Sequence, residues 1–432
     1  MTSLPEPRQR VLIVLTVAGC LSAVVQLPPA EQLMMGGGVE PTNVALRLAQ
    51  DWTLADPYSA FPTGPTAHVS PLFPIYLATL LRAFGQTPLL ELLIVILLFI
   101  VHTAYPVLLW LAGWRVAGSE AAGIAAAAFA ILLPTFPMLS QWNYIYTADL
   151  LLVMCIATSG WAKERWSGWK RRALAGAVTG LLSLWDASSV LIAGLWWLYL
   201  YLRATAASTV GIRAAALSVA SFGLTVTPWD VRNYDVLGSP IFLRGNIGLE
   251  LAVSNNDLVQ PTQHQNLTKG SYDQLHPNSN REQAMEVVRE GEVNYNRKKF
   301  REAVDWILSH PRRFAELTLA RIRYFWFPYP GEYAGYSYRT WLLTALSLLG
   351  VWQLIRMRHP LTGYVVAVLI LYPAVFYLVH ASIRLRLPMM WIEVLMAGCA
   401  LAHFAGRVSP IASLLAKYTG ADGAASAATS AG

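Results

Sequence analysis

The amino-acid sequence predicts an all-α membrane protein, a polytopic bundle of about ten spans. The 432 residues are 55% hydrophobic and only 13% charged, whereas soluble domains carry about a quarter charged residues. Apolar segments of about 17–25 residues, the length needed to cross a bilayer, recur along the chain. The mean hydropathy is +0.43. Helices are the expected spans, because a membrane barrel would show short alternating segments instead.

The predicted spans alternate across the membrane, and the basic links between them set their direction. Lys and Arg favour the cytoplasmic side, and the densest basic cluster lies at residues 163–172. With this cluster inside, both chain ends also lie inside. The predicted spans are residues 11–27, 89–113, 119–138, 144–162, 173–185, 187–203, 212–228, 339–356, 362–380 and 387–405.

The first outside loop is rich in Pro and Gly. Its apolar end, residues 70–85, is too short to cross the membrane and carries Arg82, which predicts a helix lying in the interface. The N-terminal apolar segment lacks a clear signal-peptide cleavage site and is predicted to remain as the first span. Residues 1–228 are therefore predicted to form the transmembrane bundle, with the first outside loop at 28–88. Residues 229–338 are predicted to form a small outside helical hairpin domain. The last spans follow at 339–406, and residues 407–432 are predicted to be a disordered tail.

The outside domain begins at an abrupt change in composition. The apolar residues 214–226 end in Thr-Pro-Trp-Asp-Val-Arg-Asn-Tyr, which predicts that a helix leaves the membrane at this polar boundary. Ser279 with Glu282 predicts a helix N-terminus through a capping box. Pro311 predicts a break between two helices, because proline disfavours helical geometry in the preceding residue.

Composition and motifs exclude several functions. The net charge of +7 does not indicate nucleic-acid binding, because the basic residues lie mostly in links between spans. Cys20, Cys155 and Cys399 lie in apolar segments without metal-ligand spacing and are predicted to be small buried residues. No nucleotide-binding loop or Ser/His/Asp set is present. A transporter or lipid flippase would show two similar halves with charges near span centres, and a non-catalytic assembly subunit is a third alternative.

Carboxylates on the outside loops are candidates for a catalytic base. Glu40 follows three consecutive glycines, which would let the backbone turn its carboxylate toward the membrane surface. Asp51 and Asp56 follow in the same loop, and each of these acids could instead be simply solvated. Asp149 lies at the outer end of a predicted span, where an ionisable group is costly and therefore a functional candidate. The alternative is a helix-terminal Asp favoured by the macrodipole, and Asp186 is a similar case.

Arginines on the later outside segments are candidates for binding a phosphate. Arg384 and Arg386 lie in one short link, where orientation rules disfavour two arginines unless something compensates their charge. A lipid phosphate would do so, because guanidinium binds phosphate through two parallel hydrogen bonds. Snorkelling to lipid headgroups is the alternative. Arg232 is a candidate in the boundary motif, unless it pairs with a neighbouring Asp, and His68 and His380 are further candidates.

Four landmarks occur in a particular order: Asp56–Gly85 with Gly-Pro-Thr-Ala, Thr227–Leu251 with Pro-Trp-x-x-Arg-Asn-Tyr, Gly291–Leu317, and Ile383–Pro388 with Arg-Leu-Arg-Leu-Pro. In these features the sequence resembles bacterial polytopic glycosyltransferases of the C-type fold. The resemblance is to family 39-like enzymes, relatives of the protein O-mannosyltransferases and the lipid A aminoarabinose transferases. It covers residues 11–403.

The resemblance implies a helical bundle whose first outside loop covers the active site. It implies a polyprenyl-phosphate sugar donor, transfer with inversion, and an acceptor that is a lipid, a glycan or a protein. Carried over by position, Glu40 is the base or acceptor-positioning group, Asp149 a second acid, and Arg384 and Arg386 the holders of the lipid phosphate. Leu385 stands where the family usually has Tyr, which puts the lipid contact at this position in doubt.

The resemblance also implies a location and raises the question of a metal. The protein would lie in the inner (cytoplasmic) membrane, surrounded by membrane lipids, with its active site outside. Some relatives are proposed to use a divalent metal, but this sequence shows no ligand set for one. No other cofactor is implied.

Overall fold

The computed structural model describes residues 5–26, 38–134, 141–162, 169–204, 210–332 and 335–406. Within these ranges the chain forms helices and turns with two isolated β-bridges, which confirms the predicted all-α class. Two 3-10 helices span Ser159–Ala162 and Ile383–Arg386. The α-helices are α1 (Glu6–Gln26), α2 (Val39–Asp51), α3 (Leu72–Phe84), α4 (Pro88–Arg115), α5 (Glu120–Leu132), α6 (Trp142–Thr158), α7 (Trp169–Trp185), α8 (Ser189–Ala204), α9 (Val210–Leu237), α10 (Ile247–Ser254), α11 (Gln263–Thr268), α12 (Ser271–Leu275), α13 (Arg281–Glu290), α14 (Glu292–Ser309), α15 (Pro311–Trp326), α16 (Tyr336–Arg356), α17 (Thr362–Tyr377) and α18 (Leu387–Ala405).

Each of the ten predicted spans coincides with a helix, namely α1, α4–α9 and α16–α18. Among the described residues, four helical segments are long and apolar enough to cross a membrane: Glu6–Gln26, Pro88–Arg115, Trp142–Trp161 and Ile383–Ala405. Helices α5, α8 and α17 are apolar but shorter. The chain is therefore a multi-pass membrane protein, and the number of ten spans stays a prediction.

The apolar stretch of residues 173–203 forms two helices, because Asp186 interrupts it. The Oδ1 atom of Asp186 accepts hydrogen bonds from the backbone N–H and the hydroxyl of Ser188, both at 2.9 Å. Such local side-chain bonds compete with the helical pattern. Helix α7 therefore ends at Trp185 and α8 begins at Ser189.

Small residues bring the membrane helices into close contact. A Cβ atom at Gly398 of α18 would lie 2.3 Å from the carbonyl oxygen of Ala122 in α5. One at Gly350 of α16 would lie 2.0 Å from the carbonyl oxygen of Met396 in α18. Glycine is required at both positions because the backbones touch there. Small residues at helix contacts are typical of lipid, where apolar burial between helices gives little driving force.

The predicted first outside loop contains two helices that pack against each other. Helix α3 corresponds to the predicted interfacial helix and buries Leu77 and Leu81. Helix α2 is absent from the sequence prediction, because its 13 residues carry few apolar side chains; Val44 and Leu48 are among those it buries. This packing holds the N-terminus of α2 at one end of the bundle.

Helix α9 continues beyond the boundary that the sequence predicts. It runs to Leu237 with Pro228 inside it, so the boundary motif is itself helical. The following residues, 238–332, are named the polar segment here. They form six helices, α10–α15. Helix α14 packs mainly on α10 and only slightly on α15, so the hairpin stays a prediction.

The helix ends of the polar segment agree only in part with the sequence prediction. Pro311 begins α15 as predicted. Helix α13 is capped by Asn280, whose side chain accepts the N–H groups of Glu282 and Gln283, so the predicted cap at Ser279 is displaced by one residue. The predicted disordered tail, residues 407–432, lies outside the described residues.

Candidate functional site

Six separate parts of the chain meet around a polar cavity of about 750 Å³, part of which is open to solvent. They are the N-terminus of α2, the start of α3 with the residues before it, the N-terminus of α6, the turn between α7 and α8, the polar segment and the link before α18. The cavity therefore joins residues that lie far apart in the sequence. Its charged lining residues are Glu40, Asp186, Arg244, Glu250 and Arg384, and His380 also lines it.

Glu40 lines this cavity, and its negative carboxylate shares the cavity with the positive side chains of Arg244 and Arg384. It stands in the first turn of α2, where the helix dipole favours a carboxylate. The helix begins after Gly38, whose φ of 92° glycine adopts without strain. Glu40 is partly exposed and has no hydrogen bond or ion pair to a described residue. Its carboxylate is therefore accessible to a bound molecule.

Arg384 lines the same cavity from the link before α18. Glu332 fixes this link, because its buried carboxylate accepts the hydroxyl of Ser382 at 2.8 Å and the N–H of Ile383 at 3.1 Å. Burial raises the pKa of Glu332, and these two donors oppose the rise. On the other side, backbone hydrogen bonds join Ala381 to the polar segment. Arg384 is thus held in position from two directions.

Arg244 reaches the cavity from the polar segment and is the second arginine that lines it, beside Arg384. Its Nε donates to the backbone carbonyl of His68 at 2.7 Å, and no other hydrogen bond joins it to the described residues. Its terminal nitrogens are therefore available to a ligand. The sequence signal for Arg244 is its place in the Thr227–Leu251 landmark, which does not reveal that it faces the same cavity as Arg384.

The other two carboxylates of the cavity have donors within the protein. Oε1 of Glu250 accepts Nδ2 of Asn246 at 2.9 Å. Asp186 accepts the two hydrogen bonds from Ser188 described above, and the hydroxyl of Thr147 lies 3.4 Å from its Oδ2. These internal bonds hold both side chains in place. Like Arg244, Glu250 lies in the Thr227–Leu251 landmark, which does not reveal that it faces this cavity.

Arg386 lies outside the cavity, although a single residue separates it from Arg384. Its fully buried guanidinium donates to Glu393 through Nε, at 2.9 Å, and also through Nη2. It further donates to the carbonyl of Trp326 at 2.9 Å and to the hydroxyl of Thr344 at 2.6 Å. The predicted phosphate-binding role of Arg386 is corrected by this geometry: its donors tie α18 to α15 and α16.

Arg232 also lies away from the residues that line the cavity. Its Nη1 donates to the carbonyl of Thr66 at 2.8 Å, and its Nη2 donates to the carbonyl of Leu54 at 2.9 Å. Its guanidinium lies 5.2 Å from the ring centroid of Trp229. The prediction that Arg232 contacts a phosphate is therefore corrected: Arg232 has a structural role and joins α9 to the first loop.

Asp149 lies in a different cavity from Glu40. It is 8% exposed, and neither carboxylate oxygen has a hydrogen-bond partner among the described residues. The surrounding side chains are mostly apolar, including Leu387 and Met390 of α18, with Tyr105 nearby. The predicted pairing of Asp149 with Glu40 in one site is not found.

Asp51 and Asp56 hold the first loop instead of lining the cavity. Asp51 accepts the N–H of Thr53 at 3.1 Å and pairs with Arg47 at 2.8 Å. The Thr53 hydroxyl bond is the main cause that lowers the pKa of Asp51. Asp56 accepts the N–H of Gly64 at 2.7 Å and lies 3.4 Å from Arg47. Both acids are therefore bound within the loop.

Glu40 also belongs to a cluster with two buried histidines, His68 and His276. One potential ligand atom of each lies within 4.8 Å of the other two. His68 Nδ1 lies 3.1 Å from the hydroxyl of Tyr58, and Nδ1 of His276 accepts the N–H of Asn278 at 3.1 Å. Burial lowers the pKa of both histidines, so both rings are neutral near pH 7. The sequence shows no such set, because its members come from three segments.

His380, a further predicted candidate, is buried in the cavity wall. Its Nδ1 lies 3.4 Å from the hydroxyl of Ser254. Burial lowers its pKa to about 3, and the positive charges of Arg384 and Arg321 contribute. His380 is therefore a neutral wall residue at physiological pH.

Fold and cavity together define a class of protein: a multi-pass, all-α membrane protein in which carboxylates and arginines share a polar cavity at one end of the bundle. No protein-family model matches the sequence, and no curated protein matches it. Among solved structures, the chain is similar to the archaeal oligosaccharyltransferase AglB from Archaeoglobus fulgidus, in complex with an inhibitory peptide and a dolichol-phosphate. The TM-score is 0.55 at 14% identity.

This similarity covers 96% of the chain but 52% of AglB, so the chain spans about half of that protein's length. At this identity the likeness is one of fold. It agrees with the C-type glycosyltransferase fold that the four landmarks imply. The narrower relation to family 39 stays a prediction.

Proposed function

We propose that this chain is a membrane glycosyltransferase that takes its sugar from a polyprenyl-phosphate donor. The observation that carries the proposal is the presence of Glu40, Arg244 and Arg384 in one polar cavity. A carboxylate and two guanidinium groups supply a base and a phosphate clamp. The fold supports the proposal, because AglB was solved with a lipid phosphate of this kind.

In the proposed reaction, the acceptor hydroxyl attacks the anomeric carbon on the face opposite the phosphate. The new oxygen–carbon bond forms as the bond from that carbon to the phosphate oxygen breaks, and the configuration inverts. The electron pair of the broken bond stays on the phosphate, where Arg244 and Arg384 stabilise the developing charge. Glu40 takes the proton of the hydroxyl.

Glu40 is the proposed base because its carboxylate differs from the other two in the cavity. Asp186 and Glu250 accept hydrogen bonds within the protein, whereas Glu40 has none from the described residues. Glu40 also stands in the first turn of α2 and is partly exposed, so a bound hydroxyl can reach its carboxylate. Asp186 and Glu250 then remain to orient sugar or acceptor hydroxyl groups.

Two further features complete the proposal. The basic links of the sequence favour a cavity on the outer face of the cytoplasmic membrane, and this location is part of the proposal. The acceptor is a lipid, a glycan or a protein, and the sugar is a hexose or a pentose. A family 39-like enzyme would use this arrangement.

Reconstitution of the purified protein in lipid vesicles tests the proposal. The probes are polyprenyl-phosphate hexoses and pentoses, offered with an extract of membrane lipids, glycans and peptides. We expect the wild type to release polyprenyl phosphate, measured by mass spectrometry. In Glu40→Gln, the rate of this release should fall by at least about 100-fold. Asp51→Asn is the matched control, because Asp51 lies in the same helix but outside the cavity. Full release by Glu40→Gln would contradict the proposal.

A non-catalytic assembly subunit is the second candidate, and one observation favours it. Glu40 and Asp149, the two acids that the resemblance assigns to catalysis, line separate cavities. A subunit that catalyses no reaction itself would not need these two acids in one cavity. Wild-type protein that releases no polyprenyl phosphate from any donor would favour this candidate.

A further inference from the structure

Three side chains that could ligate a metal ion surround one point beside the polar cavity. Glu40, His68 and His276 each place an atom within 4.8 Å of the other two, and no hydrogen bond joins them to one another. This spacing suits a single bridging atom, which can be a metal ion or a hydrogen-bonded oxygen. Spacing alone therefore does not decide what the cluster holds.

The hydrogen bond from Asn278 decides between these two possibilities. A neutral imidazole has one nitrogen with a free lone pair and one that carries hydrogen. Nδ1 of His276 accepts the backbone N–H of Asn278 at 3.1 Å, so its lone pair is in use and Nε2 carries the hydrogen. A metal-ligating His does the opposite and donates its second N–H to an acceptor. His276 does not fit a metal ion, whichever nitrogen faces the cluster.

The surroundings of His276 stabilise this arrangement. Tyr272 stacks on the ring, with centroids 4.4 Å apart and planes at 12°. The side chain of Asn278 accepts the N–H of Ser59 at 3.0 Å, which fixes the backbone that donates to His276. A metal ion at His276 would have to break this bond and leave a partly buried N–H without its acceptor, which is unfavourable.

Glu40 is the charged group that acts most strongly on His276. Burial lowers the pKa of His276, and the negative charge of Glu40 is the largest influence that opposes this lowering. The ring therefore lies close to the carboxylate. His68, with Tyr58 at its Nδ1, lies at the same point from the other side.

We infer that His276 is a positioning residue that donates its Nε2–H toward the carboxylate of Glu40, and that this cluster works without a metal ion. The inference rests on the proposed function, in which Glu40 is the base. A hydrogen bond formed in this way would hold the carboxylate in one orientation, as the third member of a catalytic triad orients the base. Asn278 sets the tautomer that makes this possible.

Metal content tests the inference without any substrate. The purified full-length protein is incubated with Zn²⁺ or Mn²⁺, desalted and analysed by inductively coupled plasma mass spectrometry. We expect wild type, Glu40→Gln and His276→Ala to retain equal amounts of metal. One equivalent bound by wild type and lost in both variants would overturn the inference.

The tautomer can be observed directly. The protein has eight histidines, so ¹⁵N-histidine labelling gives a small set of NMR signals, and His276→Gln identifies those of His276. We expect hydrogen on Nε2 and none on Nδ1. Hydrogen on Nδ1 would overturn the inference.

Transfer measurements test the positioning role. His276→Gln keeps an N–H donor near the position of Nε2 but removes the imidazole ligand, so it should retain transfer within about tenfold of wild type. His276→Ala should lower kcat by about 100-fold, because the donor that orients the carboxylate of Glu40 is lost. His310→Ala, at an exposed histidine of the polar segment, is the control.

Two outcomes of these measurements would contradict the positioning role: equal loss in His276→Gln and His276→Ala, or loss of wild-type transfer on addition of EDTA. A wild type without any transfer would count against the proposed function instead. In that case the metal content and the NMR signals would still decide the inference about His276.

Discussion

Glu40 and Asp149 are two carboxylates near the same end of the bundle, and their surroundings differ in charge. Glu40 lies in a cavity with Arg244 and Arg384, partly exposed and next to polar side chains. Asp149 lies in an apolar cavity, and its oxygens have no hydrogen-bond partner among the described residues. No cation lines the Asp149 cavity within the described part of the chain.

This difference shows that an acid near the membrane boundary is not sufficient for a site. A transfer site must also hold the departing phosphate, and that requires cations in the same cavity. The two arginines of the Ile383–Arg386 helix make the same point. Arg384 faces the polar cavity, whereas Arg386 is buried against Glu393.

The largest expected effect concerns the arginines of the polar cavity. Arg384→Ala and Arg244→Ala should each lower kcat for transfer by about 100-fold or more, because each removes stabilisation of the departing phosphate. Arg244→Lys keeps the charge but loses the planar fork, so it should recover only part of the activity. The measurement is polyprenyl phosphate release in vesicles.

Arg297→Ala is the control for these variants, because Arg297 is an arginine of the same segment outside the cavity. An unchanged kcat in Arg244→Ala would show that Arg244 does not stabilise the departing phosphate. Arg384 would then be the remaining arginine proposed for that role. Equal losses in Arg244→Ala and Arg297→Ala would indicate damage to the whole polar segment.

Arg386 should affect stability rather than chemistry. Arg386→Met leaves the carboxylate of Glu393 buried without its partner, which costs about 3–5 kcal/mol. We expect a lower melting temperature in detergent and poor yield. Arg386→Met with Glu393→Leu should recover much of the loss, because both charges are then removed. A stable single variant with impaired donor binding would return Arg386 to the phosphate site.

A smaller effect is expected from Glu292, a buried carboxyl that, unlike Asp149, has donors. It accepts the hydroxyl of Thr66 and the N–H of Ala67, the latter at 2.8 Å. Burial raises its pKa from 4.5 to about 7. Because the folded-state value is the higher one, its contribution to stability is full below about pH 4.5 and is lost as the pH rises through about 7.

The melting temperature measured by scanning fluorimetry checks this pH dependence. Between about pH 5 and about pH 8, the wild type should lose more stability than Glu292→Gln, whose amide does not titrate. The same decrease in both proteins would show that Glu292 does not carry the pH dependence.

Local patterns in the sequence predict the helices but not which charged residues meet. The ten apolar segments coincide with helices, because each carries its own signal in length and composition. Helix α2 and the continuation of α9 to Leu237 lack such a signal, since tertiary contacts stabilise them. Glu40 and Arg384, which the sequence selects as candidates, line one cavity, and their roles stay predictions.

The remaining site residues depend on contacts between distant segments. Arg244 is placed by its bond to His68, and Arg386 by its bond to Glu393, and neither bond has a sequence signature. A single residue separates Arg384 from Arg386 in the sequence, but the 3-10 helix directs their side chains into different surroundings. His276 joins Glu40 only because the polar segment packs over the first loop.

The most direct test of the central claim compares kcat for polyprenyl phosphate release in Glu40→Gln and Asp149→Asn, measured side by side in the same vesicles. We expect kcat for this release to fall at least about 100-fold in Glu40→Gln, and to stay within about threefold of the wild-type value in Asp149→Asn. Loss in Asp149→Asn with activity retained in Glu40→Gln would place the chemistry in the apolar cavity and contradict the account.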